Sequence, residues 1–172
     1  VSGPLVGFLV ALPVCFIGLL LSKPVEVGAT KGIQLGSPLI FWLMSELLHP
    51  NLGPGKDLLL HPVAFAGWLG LFVTALNLLP IGQLDGGHVA YAVFGKRWQK
   101  LSWIVIGALV LMGFFWLGWP FWAILAIVLG LRHPPPLDDL TPLSSVEWRL
   151  VAVAVLIIVL TFTPAPFGAT RF

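Results

Sequence analysis

The sequence predicts an all-α fold, a polytopic helical membrane protein of about five spans with one helix broken by a motif-bearing segment. Three observations carry this. Apolar residue types make up 58% of the 172 residues and charged ones 9%, with a mean hydropathy of +1.00. A soluble domain averages about 25% charged residues, so water is not the main solvent of this surface. Several apolar runs are free of charge over most of a bilayer's thickness. Prolines and glycines then cluster at residues 80–87, around a single carboxylate.

The same composition excludes an ordinary cytosolic enzyme, a disordered tail and a nucleic-acid binder. A net charge of +2 is too small to steer polyanions. Cys15 is the one cysteine, which excludes a disulfide framework and a thiolate metal cage. The expected environment is membrane lipid. The chain opens on Val1, and no charged stretch precedes its first apolar run, so it reads as one membrane domain over residues 1–172. That domain is expected to be the C-terminal part of a larger protein and not to begin with a signal peptide.

Residues 4–21 form the first expected span, with Pro13 inside it as an expected kink. Gly3, Gly7, Ala11, Cys15 and Gly18 recur on one face, a stripe that lets a second helix approach closely in lipid. Residues 22–61 carry balanced charges and are broken by prolines and glycines, so loops are expected there. Residues 37–48 inside them are apolar but too short to span. An interfacial or re-entrant helix capped by Ser37 is expected.

Residues 62–79 form the second span. Gly67, Gly70, Thr74 and Asn77 share a face, and the Asn77 amide should point into protein, not lipid. Pro80 ends the helix because it cannot donate the next hydrogen bond, and a short helix restarts near Gly86 and runs to Phe94. Lys96, Arg97 and Lys100 then form the densest basic cluster, expected to be cytoplasmic.

Residues 101–131 lack charge, and as one helix they would be about 46 Å long, more than one ordinary span. Two spans joined by a turn at Gly118-Trp119-Pro120 are expected. That choice puts five Lys or Arg on the side of the basic cluster against four opposite. A proline-rich loop over residues 132–149 leads to the last span, residues 150–162. The eight tryptophans are expected at interfaces or facing lipid.

Asp85 is the residue that calls for chemistry. A carboxylate just beyond an apolar helix, on backbone that proline and glycine keep from being helical, belongs in protein or a wet cavity. With the Asn77 amide it makes a cation site for zinc, magnesium or sodium, which spacing alone does not distinguish. The competing possibility is structural: Asp-Gly is a common turn pair, and Asp85 could simply cap the next helix. His88, one turn on, could support a ligand or merely mark an interface. His61 reads as a helix boundary, and His49 and His133 read as surface.

The pattern Asn77-x-x-Pro80-x-x-x-x-Asp85-Gly86-Gly87 resembles the second motif of the site-2 protease family of intramembrane zinc metalloproteases. The order of features over residues 61–96, the helix opening Gly3-Pro4-Leu5, and the loop at residues 133–138 are also similar to the short prokaryotic and plastid-type members. The resemblance implies that Asp85 is the third protein ligand of one zinc ion. It implies that Asn77 polarises the scissile carbonyl or holds the oxyanion, and that Pro80, Gly82, Gly86 and Gly87 shape the unwound segment. The family's remaining ligands and base lie on a His-Glu-x-x-His helix, absent here and expected upstream. With one ligand and no base, this chain alone should hold zinc weakly and hydrolyse nothing. The complete protein would cut single-span membrane proteins, in a bacterial cell membrane by expectation. A secondary transporter with an ion site at Asn77 and Asp85, and an inactive relative of the protease, are the alternatives. A transporter would usually carry a second broken helix, and the break at Gly118 has no polar partner.

Overall fold

In the computed structural model, residues Ser2–Leu21 form helix α1, with Pro13 inside it. The structure describes residues 2–27, 33–50, 52–53, 55–129 and 144–168. The expected proline-rich loop therefore lies largely outside the described residues, along with His133.

Helix α3 (Pro62–Asn77) runs antiparallel to α1, and this pair is the frame of the molecule. The small-residue face of each helix meets that of the other. A Cβ added at Gly18 would collide with the backbone of Ala64, and one at Gly67 would lie 2.6 Å from the Cys15 nitrogen. Small residues are therefore needed because the backbones nearly touch, the arrangement by which helices gain dispersion contacts where lipid removes the hydrophobic drive. His61 caps α3: its Nδ1 accepts a hydrogen bond from Val63 N at 3.3 Å, with Pro62 at the first helical position.

The segment between these helices is not purely loop. Strands β1 (Lys23–Glu26) and β3 (Lys56–Leu59) pair antiparallel, with Lys23 opposite Leu59. Strand β2 (Gln34–Leu35) pairs with β4 (Phe167–Gly168). Between them α2 spans Leu39–Leu48, short and apolar as expected, but Pro38 and not Ser37 occupies its cap position, with no side-chain cap bond. The short strands carry too few residues for an alternation of polar and apolar side chains to show in sequence.

Helix α4 (Asp85–Phe94) and a 3₁₀ turn (Gly95–Arg97) lead into α5 (Trp98–Leu111). Helix α6 (Gly118–Leu129) packs back on α5, so residues 98–129 form two helices as expected. The break falls earlier than predicted. A 3₁₀ turn at Met112–Phe114 closes α5, and Gly118, Trp119 and Pro120 form the first turn of α6. Proline is tolerated there because no helical hydrogen bond is lost. Helix α7 (Ser145–Thr161) packs against α1, α2 and α3. It starts at a capping box. The backbone N–H and hydroxyl of Ser144 both donate to the Glu147 carboxylate, which holds that carboxyl below its usual range.

The placement of tryptophan departs most from expectation. Trp68, Trp98 and Trp119 are 0%, 3% and 1% exposed, in protein and not at a lipid interface. Two of these indoles find carbonyl partners. Trp68 Nε1 donates to the Gly36 oxygen at 2.7 Å, and Trp119 Nε1 donates to the Pro164 oxygen at 2.6 Å. With that polar atom satisfied, a large ring can be wholly buried. Phe72 stacks on Trp68, and Phe167 meets both rings edge-on.

Among the described residues, helix α1 alone is long and apolar enough, by length and composition, to cross a membrane. Leu39–Leu48, Pro62–Asn77, Trp98–Phe114 and Gly118–Val128 are shorter apolar helices. The mostly helical architecture agrees with the all-α expectation, while the number of spans is a matter for the functional proposal.

Candidate metal-binding end of the α1–α3 pair

At its C-terminal end α3 stops where Pro80 requires. Leu78 closes the helix, its N–H shared between the Thr74 and Ala75 carbonyls. Residues 78–84 then turn back on themselves through bonds from Ile81 N to Leu79 O at 2.8 Å and Leu84 N to Ile81 O at 3.1 Å. Gly82 takes φ +51°, a left-handed conformation that a side chain would strain.

The paired glycines that follow have a packing reason. A Cβ at Gly86 would strike the Leu78 carbonyl, and one at Gly87 would strike the Gly82 carbonyl. Helix α4 thus starts directly on the loop that precedes it. Ser102 on α5, which sequence reasoning passed over, donates to the Pro80 carbonyl at 2.9 Å. The signal available was a hydroxyl at the head of a charge-free apolar run, too weak by itself to stand out.

Asp85 is the first residue of α4 and does not cap it. Leu84 holds the cap position, with no side-chain cap bond. The capping alternative for Asp85 is thereby corrected: the carboxylate sits in the first turn, where the helix dipole favours it, and not at the cap position. It is half-buried and points towards the start of α1, where a Cβ on Gly3 would lie 3.5 Å from Asp85 Oδ2.

Asn77, also half-buried, ends α3 on the same side. It lines a groove of about 430 Å³ between α1 and α3, together with Gly3, Gly7, Gly70 and Thr74. The structure therefore brings Asn77, the Pro80–Gly87 loop and Asp85 to one end of the helix pair. His88 is exposed on α4, one turn beyond Asp85.

His49 and His61 serve the opposite end. His49 Nε2 meets the Leu19 oxygen at 3.0 Å, and His61 caps α3. Among the described residues no group of three His, Cys, Asp or Glu could hold a metal ion. The donor set here, one half-buried carboxylate free of cap duty, fits a single zinc ligand and leaves the other positions to groups outside it.

The sequence model of Peptidase family M50 matches residues 1–117. Among curated proteins, the chain is 31% identical over 175 residues to "Probable zinc metalloprotease EGY1, chloroplastic" of Arabidopsis thaliana, covering 95% of this chain and 31% of that protein. It is 33% identical over 176 residues to the protein of the same name from Oryza sativa subsp. japonica, covering 95% and 29%. It is 36% identical over 121 residues to "Probable zinc metalloprotease EGY3, chloroplastic" of Oryza sativa subsp. indica, covering 67% and 20%. The chain thus spans less than a third of the length of these relatives. All three are plant proteins named as chloroplastic, which gives no support to the bacterial membrane expected from sequence. No solved structure matches the chain. The motif around Asp85 lies inside the matched residues, and the chain belongs to peptidase family M50, the site-2 protease family.

Proposed function

We propose that the complete protein is a zinc-dependent intramembrane endopeptidase acting on single-span membrane proteins, and that this chain supplies its third protein ligand, Asp85. The observation that carries the proposal is the position of Asp85 and Asn77. A carboxylate not used as a cap and an amide stand together at the open end of a helix pair, beside the start of α1. A His-Glu-x-x-His helix preceding α1 would arrive next to Asp85, and the groove between α1 and α3 offers small residues for it to pack on.

When bound, one zinc ion supplies Lewis-acid activation of the peptide and of a water. This chain's own residues do the rest of what is assigned here. Asp85 would contribute negative charge and a carboxylate oxygen towards holding the ion. Asn77 aims an amide N–H at the developing oxyanion from the end of α3. The loop at residues 78–84 sets the distance between them. His88, exposed on α4 one turn beyond Asp85, would support that ligand from outside the coordination shell.

The multi-pass arrangement belongs to the same proposal. Helices α1, α3, α5, α6 and α7 cross the bilayer, with Arg97 and Lys100 on the cytoplasmic side or its equivalent. Cleavage inside a membrane also needs a substrate helix that unwinds to present its amide, and a site shielded from lipid.

Asp85→Asn in the complete protein tests the assignment. The substitution keeps size and a carbonyl oxygen but removes the charge that offsets a divalent ion. Zinc content and proteolysis should both collapse while insertion and folding persist. An active, zinc-loaded Asp85→Asn protein would remove the ligand from the proposal. Asn77→Ala should lower the rate and keep the zinc, since an oxyanion donor acts on the transition state.

A further inference from the structure

The loop that carries Asp85 away from α3 is held at three places. Two are local: α4 sits on the loop through Gly86 against Leu78 and Gly87 against Gly82. The third comes from another helix. Ser102, 1% exposed on α5, donates its hydroxyl to the Pro80 carbonyl at 2.9 Å.

Pro80 has no N–H, so its residue can join the loop's own hydrogen bonds only through that carbonyl. The loop's bonds run instead from Leu79 N to Leu76 O, Ile81 N to Leu79 O and Leu84 N to Ile81 O. The Ser102 hydroxyl therefore gives Pro80 a directional anchor, and it does so at the apex of the turn between Asn77 and Asp85. Next to it Ile81, 1% exposed, is buried in the same apolar core as Ile106, one helical turn beyond Ser102. A buried serine hydroxyl in a helix can bond its own helix four residues back, as Thr74 does to Gly70 O at 2.8 Å and Thr161 to Ile157 O at 2.7 Å. Ser102 reaches across to the loop instead.

We propose that Ser102 is a positioning residue for the metal ligand: through the Pro80 carbonyl it ties the loop to α5 and fixes where Asp85 presents its oxygen. This rests on the assignment of Asp85 as a zinc ligand. Groups that orient ligands from outside the coordination shell typically change metal affinity by about 10–100-fold when removed. Ser102 acts through backbone, so the low end is expected.

The test uses the complete protein with Ser102→Ala, Ser102→Thr and Ser102→Val. Thr and Val share one shape and differ by the hydroxyl, so their difference reports the hydrogen bond whatever the extra methyl does to packing. Zinc dissociation constants are measured by chelator competition, and kcat and KM are measured separately. The expected result is roughly tenfold weaker zinc binding in Ser102→Ala and in Ser102→Val relative to Ser102→Thr, with kcat reduced and KM unchanged. Equal zinc affinity in the Thr and Val variants overturns the proposal. So does a loss confined to melting temperature, or a failure of every variant lacking the hydroxyl to fold, since the hydroxyl would then serve the fold and not the ligand. Asp85→Asn run in parallel separates the two levels. Zinc retained by that variant defeats the ligand assignment itself, whereas zinc lost there but unchanged in Ser102→Val defeats only the role of Ser102.

Discussion

The two ends of the α1–α3 pair are built from the same kinds of residue and behave differently. At the end near Gly18 and His61 the helices are in backbone contact, and a Cβ on Gly18 has no room. Moving along the pair the clearance grows. A Cβ would have 2.6 Å at Gly67, 3.2 Å at Gly70 and Gly7, and 3.5 Å at Gly3, where the neighbour is Asp85. The closed end is stitched by hydrogen bonds. Ser22 donates to Gly18 O at 2.8 Å and accepts from His61 N at 3.0 Å. The open end holds a groove and two half-buried polar side chains. Small residues thus serve contact at one end and access at the other, and only the structure tells the two uses apart.

Substitutions at matched positions sharpen this contrast. Gly18→Leu should have the largest effect, about 3 kcal/mol or more, because the backbones must separate to admit it. Thermal unfolding in detergent micelles would show it, and a melting temperature equal to wild type would contradict the close approach.

Trp119→Phe removes one indole N–H and leaves the Pro164 carbonyl without that donor. A loss of about 1–3 kcal/mol is expected, read by the same measurement. It calibrates how far the aromatic cluster of Trp119, Phe72 and Phe162 depends on indole-to-carbonyl bonds and not on ring packing alone.

Gly3→Ala lies at the opposite end of the helix pair. Its methyl would sit at ordinary contact distance from Asp85, so the melting temperature should stay within about ±0.5 kcal/mol of unchanged stability. Zinc affinity in the complete protein should respond instead. A protein destabilised as much as by Gly18→Leu would erase the distinction between the ends.

The smallest effect is expected at the start of α7. The Glu147 carboxyl is held below its usual range by the Ser144 N–H and hydroxyl. Its folded pKa being lowered, its contribution is present above the unfolded value and lost as pH falls through the folded one. Amide protection at residues 145–148, corrected for the intrinsic pH dependence of exchange, should fall on acidification, and Glu147→Gln should abolish that dependence. Unaltered acid sensitivity in the variant would assign it to another group.

Much of this could be read from sequence because it is local or periodic. The stripe Gly3, Gly7, Ala11 and Cys15 shows as a four-residue recurrence that Gly18 extends by a three-residue step, and its partner Gly67, Gly70, Thr74 and Asn77 steps by three, four and three. The end of α3 at Pro80 and the start of α4 near Gly86 follow from backbone chemistry alone. What could not be read depends on residues far apart in the chain. Trp68 and Trp119 are buried because Gly36 and Pro164 offer carbonyls, and neither pairing leaves a mark in the local pattern. The strands are two to four residues long, below the length at which alternation speaks. Asp85 was visible as a candidate, but its freedom from cap duty required the backbone of Leu84. Ser102 carries its meaning only through Pro80.

The pairing of Gln34–Leu35 with Phe167–Gly168 has a consequence in time. These residues lie roughly 130 positions apart, so the contact is among the most non-local in the molecule and closes late. Until the C-terminal residues are made, Trp68 lacks the edge of Phe167, and Gly36 N lacks the Pro166 carbonyl it bonds at 3.0 Å. During synthesis the nascent helices must therefore wait, with one aromatic face unsealed, for residues 166–168. A chain truncated after α7 would keep the helices α1–α7 and still leave that face open, because its cover comes from the short strand that follows them.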